Sequence, residues 1–81
     1  MIKHTDLSPI ELRQKIKNKR ITLGGNSILK IYGTLHCRSG KRMKTKNRIF
    51  FVNEVDARNE GYRPCGHCMR AAFKLWKEEF D

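Results

Sequence analysis

The stretch YRPCGHC at residues 62–68 contains a Cys-x-x-Cys pair, Cys65 and Cys68, and the chain has one further cysteine, Cys37. Because a glycine lies between the two thiols, the pair can form a tight turn that directs both sulfur atoms at one tetrahedral ion. Three thiolates and one nitrogen make an ordinary structural zinc set. Two other interpretations are a redox pair, which has no need of a third cysteine, and three unliganded thiols in a core.

The length of the chain favours a metal. With 81 residues, the chain is near the size at which a hydrophobic core alone is only marginally stabilising. Three cysteines cannot all pair with one another, and the segment MIKHTDLSPI lacks the apolar run of a signal peptide. No stretch approaches the roughly 18 apolar residues of a membrane span. We therefore expect a cytoplasmic protein without a membrane partner, in which thiols stay reduced or bind metal.

The charge of the chain is segregated. Eighteen Lys and Arg against eight Asp and Glu give a net charge of +10, and residues 13–48 contain twelve basic residues and no acidic one. Such segregation is typical of proteins that contact phosphates, which predicts a nucleic-acid partner. The alternative is a basic surface that only keeps the protein soluble.

Three helices are predicted from their end signals. Ser8 and Glu11 form a Ser-x-x-Glu capping box for a helix that runs to about residue 18. Asn53 can cap a short helix that Gly61 terminates. Apolar residues recur at helical spacing in the C-terminal segment, at Met69, Ala72, Phe73, Trp76 and Phe80.

Three strands are predicted between these helices. Residues 21–23 and 28–34 are expected to form a hairpin around a turn at Gly24, Gly25 and Asn26, since Gly-Gly suits tight turns. A basic loop follows, and RIFFV at 48–52 gives the third strand. The predicted fold is a single α+β domain over residues 1–81, with a short three-stranded antiparallel sheet flanked by an N-terminal and a C-terminal helix.

The segment KIYGTLHC, followed by NRIFFVNEVDARNEGYRPCGHC, resembles the metal-binding domain family of Ada, the bacterial methylphosphotriester DNA repair and adaptive-response protein. The family pattern runs from an aromatic strand through Cys-x-x-x-Cys, a basic stretch and a second aromatic strand to Gly-aromatic-Arg-Pro-Cys and Cys-x-x-Cys. EGYRPCGHC matches its most specific part closely, and the resemblance covers about residues 28–68.

The resemblance implies that Cys37, Cys65 and Cys68 ligate zinc in a small zinc-stabilised domain. It also implies a bacterial protein of DNA repair and transcription regulation whose basic loop approaches the DNA backbone. The expected phosphate contacts are Arg38, Lys41, Arg42, Lys44, Lys46 and Arg48. Arg63, in the Arg-Pro-Cys turn, is expected to support the metal site or to contact phosphate.

The chain departs from the family pattern at Gly33. When Cys37 is placed on the second cysteine of Cys-x-x-x-Cys, Gly33 takes the position of the first, which is the methyl acceptor in Ada. Glycine has no side chain, so methyl transfer to this position is not possible. Aligning Cys37 with the first cysteine instead would put Lys41 on the second and would need a gap of about three residues.

A zinc ion with three protein ligands still needs a fourth. His36, which adjoins Cys37 and lies near Gly33 in sequence, is the preferred prediction, and His4, His67 and water are the alternatives.

The predicted function is a zinc-binding, DNA-binding module without the methyl acceptor. The alternatives are a structural zinc domain for protein interactions and a residual methyltransferase that uses Cys37. The sequence contains no other catalytic constellation and no evident site for a small-molecule substrate.

Overall fold

Five short strands and three α-helices make up the α+β fold in the computed structural model, which describes residues 1–37 and 44–80. In chain order they are β1 (Ile2–Lys3), α1 (Pro9–Lys17), β2 (Leu23–Asn26), β3 (Ile31–Thr34), β4 (Arg48–Phe51), α2 (Glu54–Asn59), β5 (Arg63–Pro64) and α3 (Arg70–Phe80). Two single turns of 3₁₀-helix, His4–Asp6 and Thr45–Asn47, precede α1 and β4. No helix in these described ranges is long and apolar enough to cross a membrane.

The sheet has the order β1-β4-β2-β3-β5. Its three central strands are antiparallel, as predicted. The two edge strands were not predicted: β1 pairs antiparallel with β4, and β5 pairs parallel with β3. The sheet is therefore wider than the predicted one and is mixed rather than antiparallel throughout.

The prediction of a turn at Gly24, Gly25 and Asn26 is wrong, because these residues belong to β2. The chain instead reverses over residues 27–30. There the side chain of Asn26 accepts hydrogen bonds from the backbone N–H groups of Ile28 (2.9 Å) and Leu29 (3.2 Å). Both glycines are buried in the strand between β3 and β4. A Cβ atom at Gly25 would lie 3.1 Å from the Ile31 carbonyl oxygen, so this position has little room for a side chain.

The predicted helix ends are confirmed. Ser8 and Glu11 form the reciprocal capping box, with both hydrogen bonds at 3.2 Å. The Asn53 side chain accepts from the backbone N–H of Asp56 at 2.9 Å, and Gly61 ends α2 with a positive φ of 85°.

A cluster of core side chains lies on the α2 side of the sheet. It is formed by buried side chains from β3, β4, α2 and the segment before β5, namely Tyr32, Ile49, Phe51, Ala57 and Tyr62. The Phe51 and Tyr62 rings meet edge to face at 4.9 Å. Successive residues of a strand point to opposite faces, so burial of Tyr32 in this core directs the next position, Gly33, to the other face.

Candidate metal centre

Cys37 is positioned by a tight turn at the end of β3. Its backbone N–H donates to the carbonyl of Thr34 at 3.2 Å, which folds the chain back beside the strand it has just left. The residue is buried, with 8% of its surface exposed.

The parallel pairing of β5 with β3 positions the other two cysteines. The N–H of Cys65 donates to the carbonyl of Tyr32 at 2.7 Å, next to Gly33. The following residues turn sharply, and the N–H of Met69 donates back to the carbonyl of Cys65 at 3.0 Å, just before α3 begins. The turn brings Cys68 to the same side as Cys65.

The three thiols form one cluster, with all three sulfur atoms within 4.8 Å of one another. The Sγ atoms of Cys37 and Cys65 are 4.0 Å apart. A tetrahedral zinc ion with bonds of about 2.3 Å to sulfur separates its sulfur ligands by about 3.8 Å. The cluster therefore fits a zinc ion in both donor chemistry and spacing.

Backbone amides favour thiolates in this cluster. The N–H of Thr34 donates to Cys68 Sγ and the N–H of His67 donates to Cys65 Sγ, each at 3.4 Å. Burial raises the pKa of the Cys68 thiol, and the Thr34 N–H opposes that effect. A metal ion that replaces the thiol protons would bind these sulfur atoms as thiolates.

Gly33 lies directly against the cluster. A Cβ atom added to Gly33 would be 2.6 Å from Cys68 Sγ and 3.2 Å from Cys65 Cβ. A cysteine thiol thus occupies the space into which a side chain at position 33 would project. In this arrangement only glycine leaves room for it.

No histidine belongs to the thiol cluster among the residues that the structure describes. His36 and His67 are exposed. His4 packs against Phe50, with ring centroids 5.2 Å apart. The structure brings the three predicted cysteines together but does not place His36 with them.

The family model for the metal binding domain of Ada matches the chain over residues 16–70. The match spans more than half of the 81 residues and includes all three cysteines. The chain belongs to the Ada metal-binding domain family. Zinc is accordingly the cofactor of this domain, as the sequence predicted. No curated protein and no solved structure gives a significant match to the chain.

The basic loop of this Ada-like domain lies partly outside the described residues. Three of the predicted phosphate contacts, Arg38, Lys41 and Arg42, are not among them. Lys44 and Lys46 are exposed, Lys44 just before the 3₁₀ turn Thr45–Asn47 and Lys46 within it. Arg48 is half-buried and stacks on Phe50, with 5.6 Å from its Cζ to the ring centroid.

Arg63 is held by aromatic rings of α3. Its Cζ lies 5.4 Å from the ring centroid of Phe73 and 5.6 Å from that of Trp76, and Nη1 donates to the carbonyl of Pro64 at 3.2 Å. These contacts attach β5 to α3 on either side of the Cys65–Cys68 turn. Part of the apolar stripe of α3 therefore supports Arg63.

A cavity of about 370 Å³ adjoins the cluster. The sequence did not predict it. Its lining includes Cys37 and Cys65, the glycines of β2 and β3, and the arginines Arg48 and Arg63. Three buried glycines in adjacent strands, Gly24, Gly25 and Gly33, could have signalled such a space, but only once their pairing was known.

Proposed function

We propose that this Ada-like domain is a zinc-stabilised DNA-binding module that does not transfer methyl groups. In this proposal Cys37, Cys65 and Cys68 ligate zinc, and basic residues near the cluster contact the phosphate backbone. The observation that carries the proposal is the position of Gly33 against the three thiols. The resemblance places the methyl acceptor of Ada at this position, where this chain has no side chain.

The burial of Cys37 also argues against a residual methyltransferase. An acceptor thiol must reach a phosphate methyl group outside the protein, but only 8% of the Cys37 surface is exposed. We therefore assign Cys37 a structural role in holding the metal. A cytoplasmic location, in which the three cysteines stay reduced, is part of the same proposal.

The charge distribution supports binding to DNA phosphates. Lys44 and Lys46 are exposed beside the segment that contains Arg38, Lys41 and Arg42, and residues 13–48 have no acidic side chain to oppose them. The described acidic residues after β4 lie on or beside α2 and α3. Contacts to phosphates position a protein on DNA without reading its sequence.

Fluorescence anisotropy with a labelled DNA duplex, measured over a series of salt concentrations, tests this proposal. We expect binding at low salt that weakens steeply, with a slope of about −0.9 in log K against log salt for each phosphate contact. The double variant Lys44→Gln and Lys46→Gln should lower the magnitude of this slope by about 1.8. Lys77→Gln, which removes an exposed charge from α3, serves as the matched control and should leave it unchanged.

Absence of binding to duplex and single strands at low salt, with zinc still bound, would contradict the DNA-binding proposal and favour a structural zinc domain. Mass spectrometry after incubation with DNA that contains methylphosphotriesters tests the absence of methyl transfer. We expect no protein mass gain, and a methyl group on Cys37 would refute that part.

A further inference from the structure

The thiol cluster borders a cavity beside the backbone of Gly33. The cavity of about 370 Å³ meets the cluster there, with Gly33, Cys37 and Cys65 all in its lining. A volume of this size lies within the usual range of sites for small molecules. Cys37, Cys65 and Cys68 supply three ligands to a metal that takes four, and the cavity borders two of these three cysteines.

The lining of the cavity includes two arginines. Arg48 lines it, and its Nε atom is buried without a hydrogen-bond partner among the described residues. This atom lies 4.0 Å from the place of a Cβ on Gly24, which is also in the lining. Arg63 is also in the lining. A buried N–H donor without a partner is costly, and an anion in the cavity would satisfy it.

We propose that the cavity binds a small thiol that carries a carboxylate, with the thiolate completing the metal site and the carboxylate pairing with Arg48. This inference rests on the proposed ligation by the three cysteines. A set of thiolate ligands is soft and suits a further sulfur donor. On binding, the S–H bond breaks, a sulfur–metal bond forms and the proton passes to solvent.

The charge of such a complex is compensated by the protein. Three thiolates around Zn²⁺ already leave one net negative charge, and a fourth thiolate adds another. Arg48 and Arg63 border the same cavity, and the chain as a whole carries +10. The aliphatic side chains of Leu29 and Ile31 also line the cavity and would contact the carbon chain of the ligand.

The probe for this site is mercaptoacetate, titrated into cobalt-loaded protein while the visible absorption of the metal is followed. We expect a saturable change in the cobalt bands. The neutral thiol 2-mercaptoethanol should bind at least about tenfold more weakly, because it cannot pair with Arg48. Acetate, which has the anion but no thiol, should leave the bands unchanged.

Two variants locate the bound probe. Arg48→Gln should weaken mercaptoacetate binding by about tenfold or more, to the level of 2-mercaptoethanol, whereas the exposed α3 control Lys77→Gln should bind as the native protein does. If Arg48→Gln does not fold, the comparison of the two thiols on the native protein still tests the carboxylate contact.

The outcomes separate this inference from the proposed function. If cobalt gives no thiolate absorption bands in the native protein, the three-cysteine metal site itself is wrong. If the bands form but mercaptoacetate leaves them unchanged, the metal site stands and the thiol site is refuted. A response that arises only after His36→Ala would also refute it, because His36 would then hold the fourth position. Equal affinity for the two thiols would refute the role of Arg48.

Discussion

Replacing Gly25 with alanine should destabilise the fold, although alanine generally suits a strand better than glycine does. A Cβ atom at this position would lie 3.1 Å from the carbonyl oxygen of Ile31, 3.1 Å from Cε2 of Phe51 and 3.2 Å from Cδ1 of Ile49. Favourable carbon–carbon contacts lie at about 3.5–4.0 Å. The Ile31 oxygen belongs to the paired strand and the Phe51 ring is fully buried, so neither can move away freely.

The magnitude follows from two opposing effects. Overpacking of a core typically costs about 1–3 kcal/mol. Replacing glycine in a strand with alanine stabilises the fold by about 0.5–1 kcal/mol, because alanine loses less conformational freedom on folding. We therefore expect Gly25→Ala to lower the free energy of unfolding by about 1–2 kcal/mol. In a domain of this size, each kcal/mol lowers Tm by roughly 4–8 °C.

The neighbouring glycine provides the matched control. A Cβ atom at Gly24 would meet only ordinary contacts, at 3.8 Å from Leu35 Cδ2 and 3.9 Å from the Ile49 carbonyl oxygen. Gly24→Ala should therefore be neutral or should stabilise by about 0.5–1 kcal/mol. Urea denaturation of the zinc-loaded proteins measures both. If Gly25→Ala were as stable as Gly24→Ala, the packing described for β2 would be refuted.

Three further predictions concern single side chains. Tyr32→Phe removes the hydroxyl that donates to Glu54 Oε2 at 3.0 Å, and urea denaturation should show a loss of about 1 kcal/mol. Asn53→Ala removes the N-cap of α2, and thermal unfolding should show a loss of about 0.5–2 kcal/mol. Burial and the nearby charge of Arg48 lower the pKa of His4 below its usual 6.5. As the pH falls, the unfolded chain therefore binds a proton on His4 at a higher pH than the folded protein does. Stability should decline below pH 6.5, and it should decline less steeply in His4→Asn than in the native protein.

Each of these predictions has its own control. Adding Glu54→Ala to Tyr32→Phe should cost little more than the single change, and full additivity would contradict the hydrogen bond. Asn59→Ala, at an exposed position of α2, should leave Tm nearly unchanged; a loss equal to that of Asn53→Ala would argue against capping. Identical pH profiles for His4→Asn and the native protein would contradict the lowered pKa of His4.

The helix ends could be predicted from sequence because their signals are local. Ser8 and Glu11 are three residues apart, and the hydrogen bonds that they exchange depend on little else. The same holds for Asn53 and for the positive φ of Gly61. These elements require no knowledge of the rest of the chain.

The sheet could be predicted only in part, because its details depend on contacts between distant residues. Gly24 and Gly25 carry a strong local signal for a turn, but the pairing of β2 with both β3 and β4 decides their conformation. The edge strands β1 and β5 have two residues each, too few to show the alternation that marks a strand.

The cysteines of the site could be predicted from their spacing and the family resemblance, whereas the cavity could not. The structure places Cys37, Cys65 and Cys68 in one cluster because β5 pairs with β3, and that pairing has no signal in the sequence. The unpartnered Nε of Arg48 likewise depends on the packing around β4. That Arg48 lines the cavity can be seen only in the folded structure.

Zinc X-ray absorption spectroscopy of the purified protein, without added thiol, tests the three-cysteine site most directly. We predict one zinc ion per chain with three sulfur ligands at about 2.3 Å and one nitrogen or oxygen ligand. Each of the variants Cys37→Ser, Cys65→Ser and Cys68→Ser should reduce the sulfur count by one or lose the metal. A zinc ion with two or fewer sulfur ligands, or a sulfur count that does not change in Cys37→Ser, would contradict the account.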